Sequence, residues 1–158
     1  FTFPTTVTDK KITLKEAIGD IIESPRFFNE ETITEEHPTR KNHDVYTGSY
    51  DAKYMARNRV RSWNEQSFTI QAQARNEPQH PQAPKMTYIS SDKRIFAKGY
   101  ELLYRRLSVR ECARIQTFPD SFVFIYTDIK NGYKMVGNAV PPRLAYAIAI
   151  QIRNALPQ

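Results

Sequence analysis

The chain has 158 residues and 18.4 kDa, with 23 Lys+Arg against 17 Asp+Glu, a formal charge of +6 and a sequence pI near 9.5. That length suits one ordinary domain with room for a second small lobe, and 40% hydrophobic residues with 19 aromatics exclude disorder along the whole length. The absence of any apolar run near ~18 residues or of a signal peptide excludes membrane and secretory readings; a single Cys excludes a disulfide framework or Cys-rich zinc module and fits a cytoplasmic setting.

The chain opens Phe1-Thr2-Phe3-Pro4, without an initiator Met, which reads as a piece of something longer. Residues 1–12 read as extended. Thr13-Leu14-Lys15-Glu16 has the form of a capping box, Thr at the N-cap and Glu three residues on. Leu14, Ala17, Ile18, Ile21 and Ile22 share one helical face, and Ser24-Pro25 stops the helix. Residues 26–45 are acidic and polar and predict a surface connection.

Over residues 46–95 the signals are for β structure: Tyr46, Phe68, Thr69, Ile70, Thr87, Tyr88 and Ile89 sit between Gly, Asn-Glu and Pro punctuation. Pro78, Pro81 and Pro84 make residues 76–86 a proline-rich loop rather than a central strand. Large aliphatic residues are few here, which predicts a small irregular lobe whose purpose is its surface. Ser108-Val109-Arg110-Glu111 is a second capping box, opening a helix to about Gln116 that Phe118-Pro119 ends. Residues 122–126 form a short apolar run consistent with a buried segment. Pro141 and Pro142 suit a helix entrance, and Leu144, Ile148 and Ile152 follow at four-residue spacing, giving a final helix that needs a partner surface.

Charge is unevenly spread. Residues 1–39 hold four basic and eight acidic side chains, residues 40–114 fifteen and seven, residues 115–158 four and two. Ten of the fifteen in the middle are Arg, the better residue for bidentate phosphate and guanine contacts. A localised basic stretch interleaved with aromatics and amides is the footprint of a nucleic-acid surface. Its sharpest element is Arg57-Asn58-Arg59-Val60-Arg61, in which strand alternation would place Arg57, Arg59 and Arg61 on one face. The competing reading is an exposed strand face charged for solubility. Arg75 would join them by folding back across a turn at Ser62-Trp63-Asn64-Glu65, with Gln71 and Gln73 as amide readers or as loop residues satisfying the backbone.

Cys112 lies mid-helix on the face of Val109, Ala113 and Ile115 and reads as a small buried hydrophobe rather than a nucleophile. His37, His43 and His80 lack zinc spacing, so no metal site is expected. Gly137-Asn138-Ala139-Val140-Pro141-Pro142 reads as a tight polar turn into a helix N-terminus, either a ligand-holding turn or a plain one.

Residues 106–120 (Arg106-Leu107-Ser108-Val109-Arg110-Glu111-Cys112-Ala113-Arg114-Ile115-Gln116-Thr117-Phe118-Pro119-Asp120) strongly resemble the ninth conserved motif of cytosine-5 DNA methyltransferases. Gly137-Asn138-Ala139-Val140-Pro141-Pro142, leading into Leu144 and Ala145, resembles their tenth. The resemblance implies an α+β architecture: a small irregular β-rich target-recognition lobe plus helices that complete the methyltransferase catalytic domain. The expected division is a connecting segment with a helix over 1–39, the target-recognition lobe over 40–104, and the helical segment of the ninth and tenth motifs over 105–158.

The lobe looks most like that of the bacterial GGCC-specific enzymes, through residues 57–65, 68–72 and His80-Pro81-Gln82-Ala83-Pro84. By that resemblance Arg57, Arg59 and Arg75 read guanines; the basic stretch itself adds Arg61 and Gln71 as candidate DNA contacts. Asn138, Ala139 and Val140 would border S-adenosylmethionine. The family's Gly-rich cofactor turn, its Pro-Cys nucleophile and its Glu-Asn-Val motif are absent from these residues, and Cys112 belongs to the ninth motif. The expectation is therefore the DNA-recognition portion of a DNA (cytosine-5-)-methyltransferase of a restriction–modification system, inactive alone. Its catalytic half would lie on the same parent chain or on a separate subunit. The alternative is a stand-alone, catalytically inactive DNA-binding or regulatory module.

Overall fold

The computed structural model describes residues 3, 10–21, 23–28 and 37–156. The first helix, α1 (Leu14–Ile18), begins where the sequence places it: Thr13 Oγ1 accepts the Glu16 N–H, and the Glu16 carboxylate accepts the Thr13 N–H at 2.9 Å. Its next two free amides are also satisfied. Leu14 N–H donates to Glu65 O and Lys15 N–H to Trp63 O, both at 2.9 Å, so the 62–65 turn caps the helix from outside. The helix ends at Ile18, before Ile21, and the expected Ile22 contact lies outside the described residues.

The expectation of a surface connection over 26–45 is corrected for residues 26–28 and 42–45; residues 29–36 of it, and most of the extended reading of 1–12, lie outside the described residues. Strand β1 (Arg26–Phe28) pairs in parallel with β2 (Asp44–Tyr46), and Arg26 and Asp44, opposite each other in the register, form an ion pair at 2.9 Å. Residues 42–46 are buried, and so is His37. Asn42 adopts a left-handed φ of 62°, a conformation Asn tolerates, and uses its amide as a strand partner. Its Oδ1 accepts the Phe124 N–H at 2.9 Å and its Nδ2 donates to Phe124 O at 2.8 Å. His37 and His43 meet ring to ring, and their nitrogens bond Ser24 O, Glu23 O and Ser108 Oγ. Among the described residues no group of His, Cys, Asp or Glu is placed to hold a metal ion.

Helix α2 (Ala52–Met55) is capped by Asp51, whose carboxylate accepts the Tyr54 N–H at 2.7 Å. The antiparallel hairpin β3 (Thr87–Ser90) and β4 (Lys93–Ile95) packs on α2. Phe68, Thr69 and Ile70 are not a strand, and residues 77–86 form a loop in which Gln79 makes two isolated bridges, to Val60 and to Arg106. Helix α3 (Val109–Ile115) opens with the second capping box, Ser108 N–H donating to Glu111 at 2.7 Å.

Helix α4 (Ile129–Asn138) corrects the reading of the tenth-motif segment. Gly137 and Asn138 are its last residues, Ala139 caps it, and only Val140-Pro141 separate it from α5 (Pro142–Ala155). Ile129, Tyr133 and Val136 recur at helical spacing and are all fully buried, which fixes the helix despite two glycines. The apolar run 122–126 forms no strand: Phe124 is buried, but Ile125 is 86% exposed.

One apolar cluster gathers Leu14 and Ile18 of α1, Tyr46, Ile70, Leu107, Val109 and Cys112 of α3, and Tyr133 and Val136 of α4. A second joins Val60, Ala83, Met86 and Tyr104 under the hairpin. No residue of α5 is buried, and its Tyr146 and Ile152 face solvent. Among the described residues no helix is long and apolar enough to cross a membrane.

Candidate nucleic-acid interface

Residues 57–61 do not form the expected strand. Asn58 folds the segment on itself: its Nδ2 donates to Val60 O at 2.7 Å and its Oδ1 accepts the Met86 N–H at 3.0 Å. Val60 makes only an isolated bridge to Gln79. Arg57, Arg59 and Arg61 therefore do not share one face. Arg61 turns to the 62–65 turn, pairing with Glu65 at 2.9 Å and lying over the Phe68 ring at 4.3 Å. Hydrogen bonds from Ser62 and Arg61 hold the half-buried Glu65 carboxyl down at about 2.

Arg57, Arg59 and Arg75 are instead grouped about α2. Arg59 folds over the Tyr54 ring at 4.7 Å, and its Nε donates to Tyr54 O at 3.2 Å. Arg57 follows the Ala56 cap of the helix and is exposed. Arg75, in a single 3-10 turn over Ala74–Asn76, is exposed and reaches Asp51, the N-cap, at 4.0 Å. Tyr54 thus acts as a platform; it is itself fixed through its hydroxyl, which donates to Glu77 O at 2.8 Å. Asp51 three residues before Tyr54 is the sequence signal for α2 and its platform. Gln71 is exposed but sits apart, beside α4.

Much of the basic stretch turns inward. Arg106 is fully buried; it donates to the carbonyls of Tyr46, Gly48, Ser49 and Arg75 at 2.7–3.3 Å and stacks at 4.2 Å on Tyr50. Arg110 is equally buried and bonds the carbonyls of Lys41, Pro119 and Phe122. Arg105 forks onto Glu111 at 2.7 and 2.8 Å. Burial opposes ionisation of Glu111, yet Arg105 beside it holds the carboxyl at about 2. Arg114 and Arg40 both pair with Asp120. The arginines of residues 105–114 thus carry internal bonds, whereas Arg57 and Arg75, near α2, are exposed.

Cys112 is fully buried, and burial pushes its thiol well above the ordinary range, so it is inert as a nucleophile here. Asn138 and Val140 are exposed where α4 gives way to α5, with Ala139 half-buried between them. Asn138 also lines a groove with Tyr126, Asn131, Lys134 and Met135.

Residues 2–154 match the family model described as C-5 cytosine-specific DNA methylase, and the chain belongs to that family. It is 50% identical over 156 residues to the type II methyltransferase M.MthTI of Methanothermobacter thermautotrophicus, covering 99% of this chain and 47% of that protein. To M.NgoPII of Neisseria gonorrhoeae it is 47% identical over 166 residues, covering 99% of this chain and 46% of that one. A stretch of 53 residues is 53% identical to DNA (cytosine-5)-methyltransferase 1 of Mus musculus, covering 34% of this chain and 3% of that protein. The chain spans about half the length of the bacterial and archaeal relatives it matches.

Proposed function

We propose that this chain is the DNA-recognition portion of a DNA (cytosine-5-)-methyltransferase of a type II restriction–modification system, acting in the cytoplasm on double-stranded DNA at a GGCC-type site. The observation that carries the reading is the grouping of Arg57, Arg59 and Arg75 about α2, with Arg57 and Arg75 exposed and Arg59 half-buried over the Tyr54 ring. Guanidinium groups in that position are suited to guanine O6 and N7 in the major groove, at ~1–3 kcal/mol of discrimination for each good pair. Arg61 and Gln71 would contribute flanking contacts.

The catalytic half, with the nucleophile and most of the cofactor contacts, would lie outside these residues. S-adenosylmethionine supplies the methyl group when bound. Here the exposed amide of Asn138 beside the exposed isopropyl of Val140 suits a ligand with polar and apolar parts, with Ala139 small enough to let it approach. These residues would orient the cofactor rather than react. Flipping the target base costs a few kcal/mol of stacking, which groove contacts would offset.

The test is Arg59→Ala on this chain with a GGCC duplex and a scrambled duplex. A base contact predicts a loss about tenfold larger on GGCC, whereas equal losses would make Arg59 a backbone contact. DNA binding by a chain that fails to restore methyl transfer to a candidate catalytic half would favour the stand-alone module.

A further inference from the structure

The segment carrying Gln71 is clamped from two sides. On one side lies Gly137: a Cβ there would overlap the carbonyl of Gln71 and the amide of Ala72, so α4 approaches the lobe as closely as backbone allows. On the other lies Glu77, fully buried, whose Oε1 accepts the Gln71 N–H at 3.1 Å. Its Oε2 accepts from Cys112 Sγ of α3 at 3.6 Å. Its backbone carbonyl holds the Tyr54 hydroxyl, the platform under Arg59.

We propose that Glu77 is a positioning residue for DNA reading: its buried carboxyl seats Gln71-Ala72 against Gly137 and so fixes the recognition lobe relative to the Asn138–Val140 turn. The proposal rests on the DNA reading above. Three observations carry it. A buried carboxyl is costly, and this one bonds two separate elements, the 71–72 segment and α3, while the Glu77 backbone carbonyl holds Tyr54 of α2. The contact across Gly137 is backbone to backbone, which transmits displacement with little slack. Gly137 also directly precedes the turn proposed to face the cofactor, so a shift of Gln71 and a shift of Asn138 are mechanically linked. Burial pushes the Glu77 carboxyl up to about 8, so at neutral pH it serves as a neutral hydrogen-bonding group with no charge to compensate.

The test uses the full 158-residue chain with Glu77→Met, which keeps the volume and removes the acceptor, and Glu77→Gln, which keeps a carbonyl for the Gln71 amide. Two readouts are followed: the affinity ratio between GGCC and scrambled duplexes, and hydrogen exchange of the Gln71 amide. The expected result is exchange at Gln71 at least tenfold faster and a collapsed affinity ratio in E77M, with both restored in E77Q. Unchanged Gln71 exchange in a folded E77M, or an unchanged affinity ratio despite faster exchange, would overturn the proposal. If E77M does not fold, Gly137→Ala displaces the same segment from the other side, and an unaltered ratio there would overturn it equally. A wild-type chain with no preference between the duplexes would instead refute the DNA reading, while the exchange data still report on the clamp.

Discussion

Thr117 Oγ1 accepts the backbone N–H of Arg143 at 3.1 Å, joining the end of α3 to the first turn of α5. Thr117 has a φ of 69°, a left-handed conformation that a β-branched residue rarely adopts. It occupies the position after the Gln116 cap at which helices usually place Gly, with the Phe118 N–H returning to Ala113 O at 2.9 Å. Pro141 brings no side-chain cap to α5, so the hydroxyl of Thr117 supplies one from across the fold.

Thr117→Ala is therefore expected to lose about 1 kcal/mol, the usual value of a helix cap. Thr117→Gly loses the same cap but relieves ~1 kcal/mol of left-handed strain, so its net loss should be near zero. Urea unfolding of the two variants measures the difference. A Thr117→Ala chain as stable as wild type would show that the hydroxyl contributes nothing.

Two arginines of the same stretch should respond in opposite ways. Arg106→Lys leaves carbonyls of Tyr46, Gly48, Ser49 and Arg75 short of donors, and an ammonium cannot reproduce the planar fork. A loss of about 3 kcal/mol is expected, from at least two buried groups left unsatisfied. Arg75→Ala, at an exposed position, should change stability by no more than about 0.5 kcal/mol while weakening DNA binding. Thermal unfolding and a DNA titration on both variants separate the two roles.

The pH dependence of stability should carry the mark of Glu77. The unfolded carboxyl gives up its proton near 4.5, while the folded one keeps it to about 8 because burial penalises the charge. The folded chain thus holds the extra proton between those values, and the stabilisation, present in full below about 4.5, is gone above about 8. His80 acts from the other side. Burial lowers it from 6.5 to about 4 despite Glu111 at 3.5 Å, so its contribution is lost as pH falls through that window. At ~1.4 kcal/mol per pKa unit the Glu77 effect amounts to a few kcal/mol. Urea titrations from pH 6.5 to 9, above the His80 window, should show wild type losing stability toward the alkaline end and Glu77→Gln holding level; parallel curves would place the Glu77 ionisation in the ordinary range.

The parts of this fold that were legible in the sequence are those settled within a few residues. Both capping boxes, the proline entrance to α5 and the buried nature of Cys112 depend on neighbours three or four positions away. The parallel pairing of β1 with β2 was not legible, because three-residue strands carry little alternation and their partner lies across an intervening connection. Helix α4 had its signal in Ile129, Tyr133 and Val136, obscured by Gly132 and Gly137. The arginines show the limit most sharply. Arg57 and Arg106 are the same residue type in the same basic stretch, and only the carbonyls gathered from residues 46–49 and 75 decide that one faces solvent and the other the core.

That inward turn of Arg105, Arg106, Arg110 and Arg114 has a consequence for ionic strength. A polyanion releases bound counterions only to cations it can reach, and each phosphate neutralised adds about 0.9 to the slope of log affinity against log salt. Charges already spent on carbonyls, Glu111 and Asp120 release none. The affinity of this chain for duplex DNA should therefore fall with added salt far more gently than the fifteen basic residues of 40–114 would imply, at a slope set by side chains such as Lys53, Arg57, Arg75, Lys93 and Lys98.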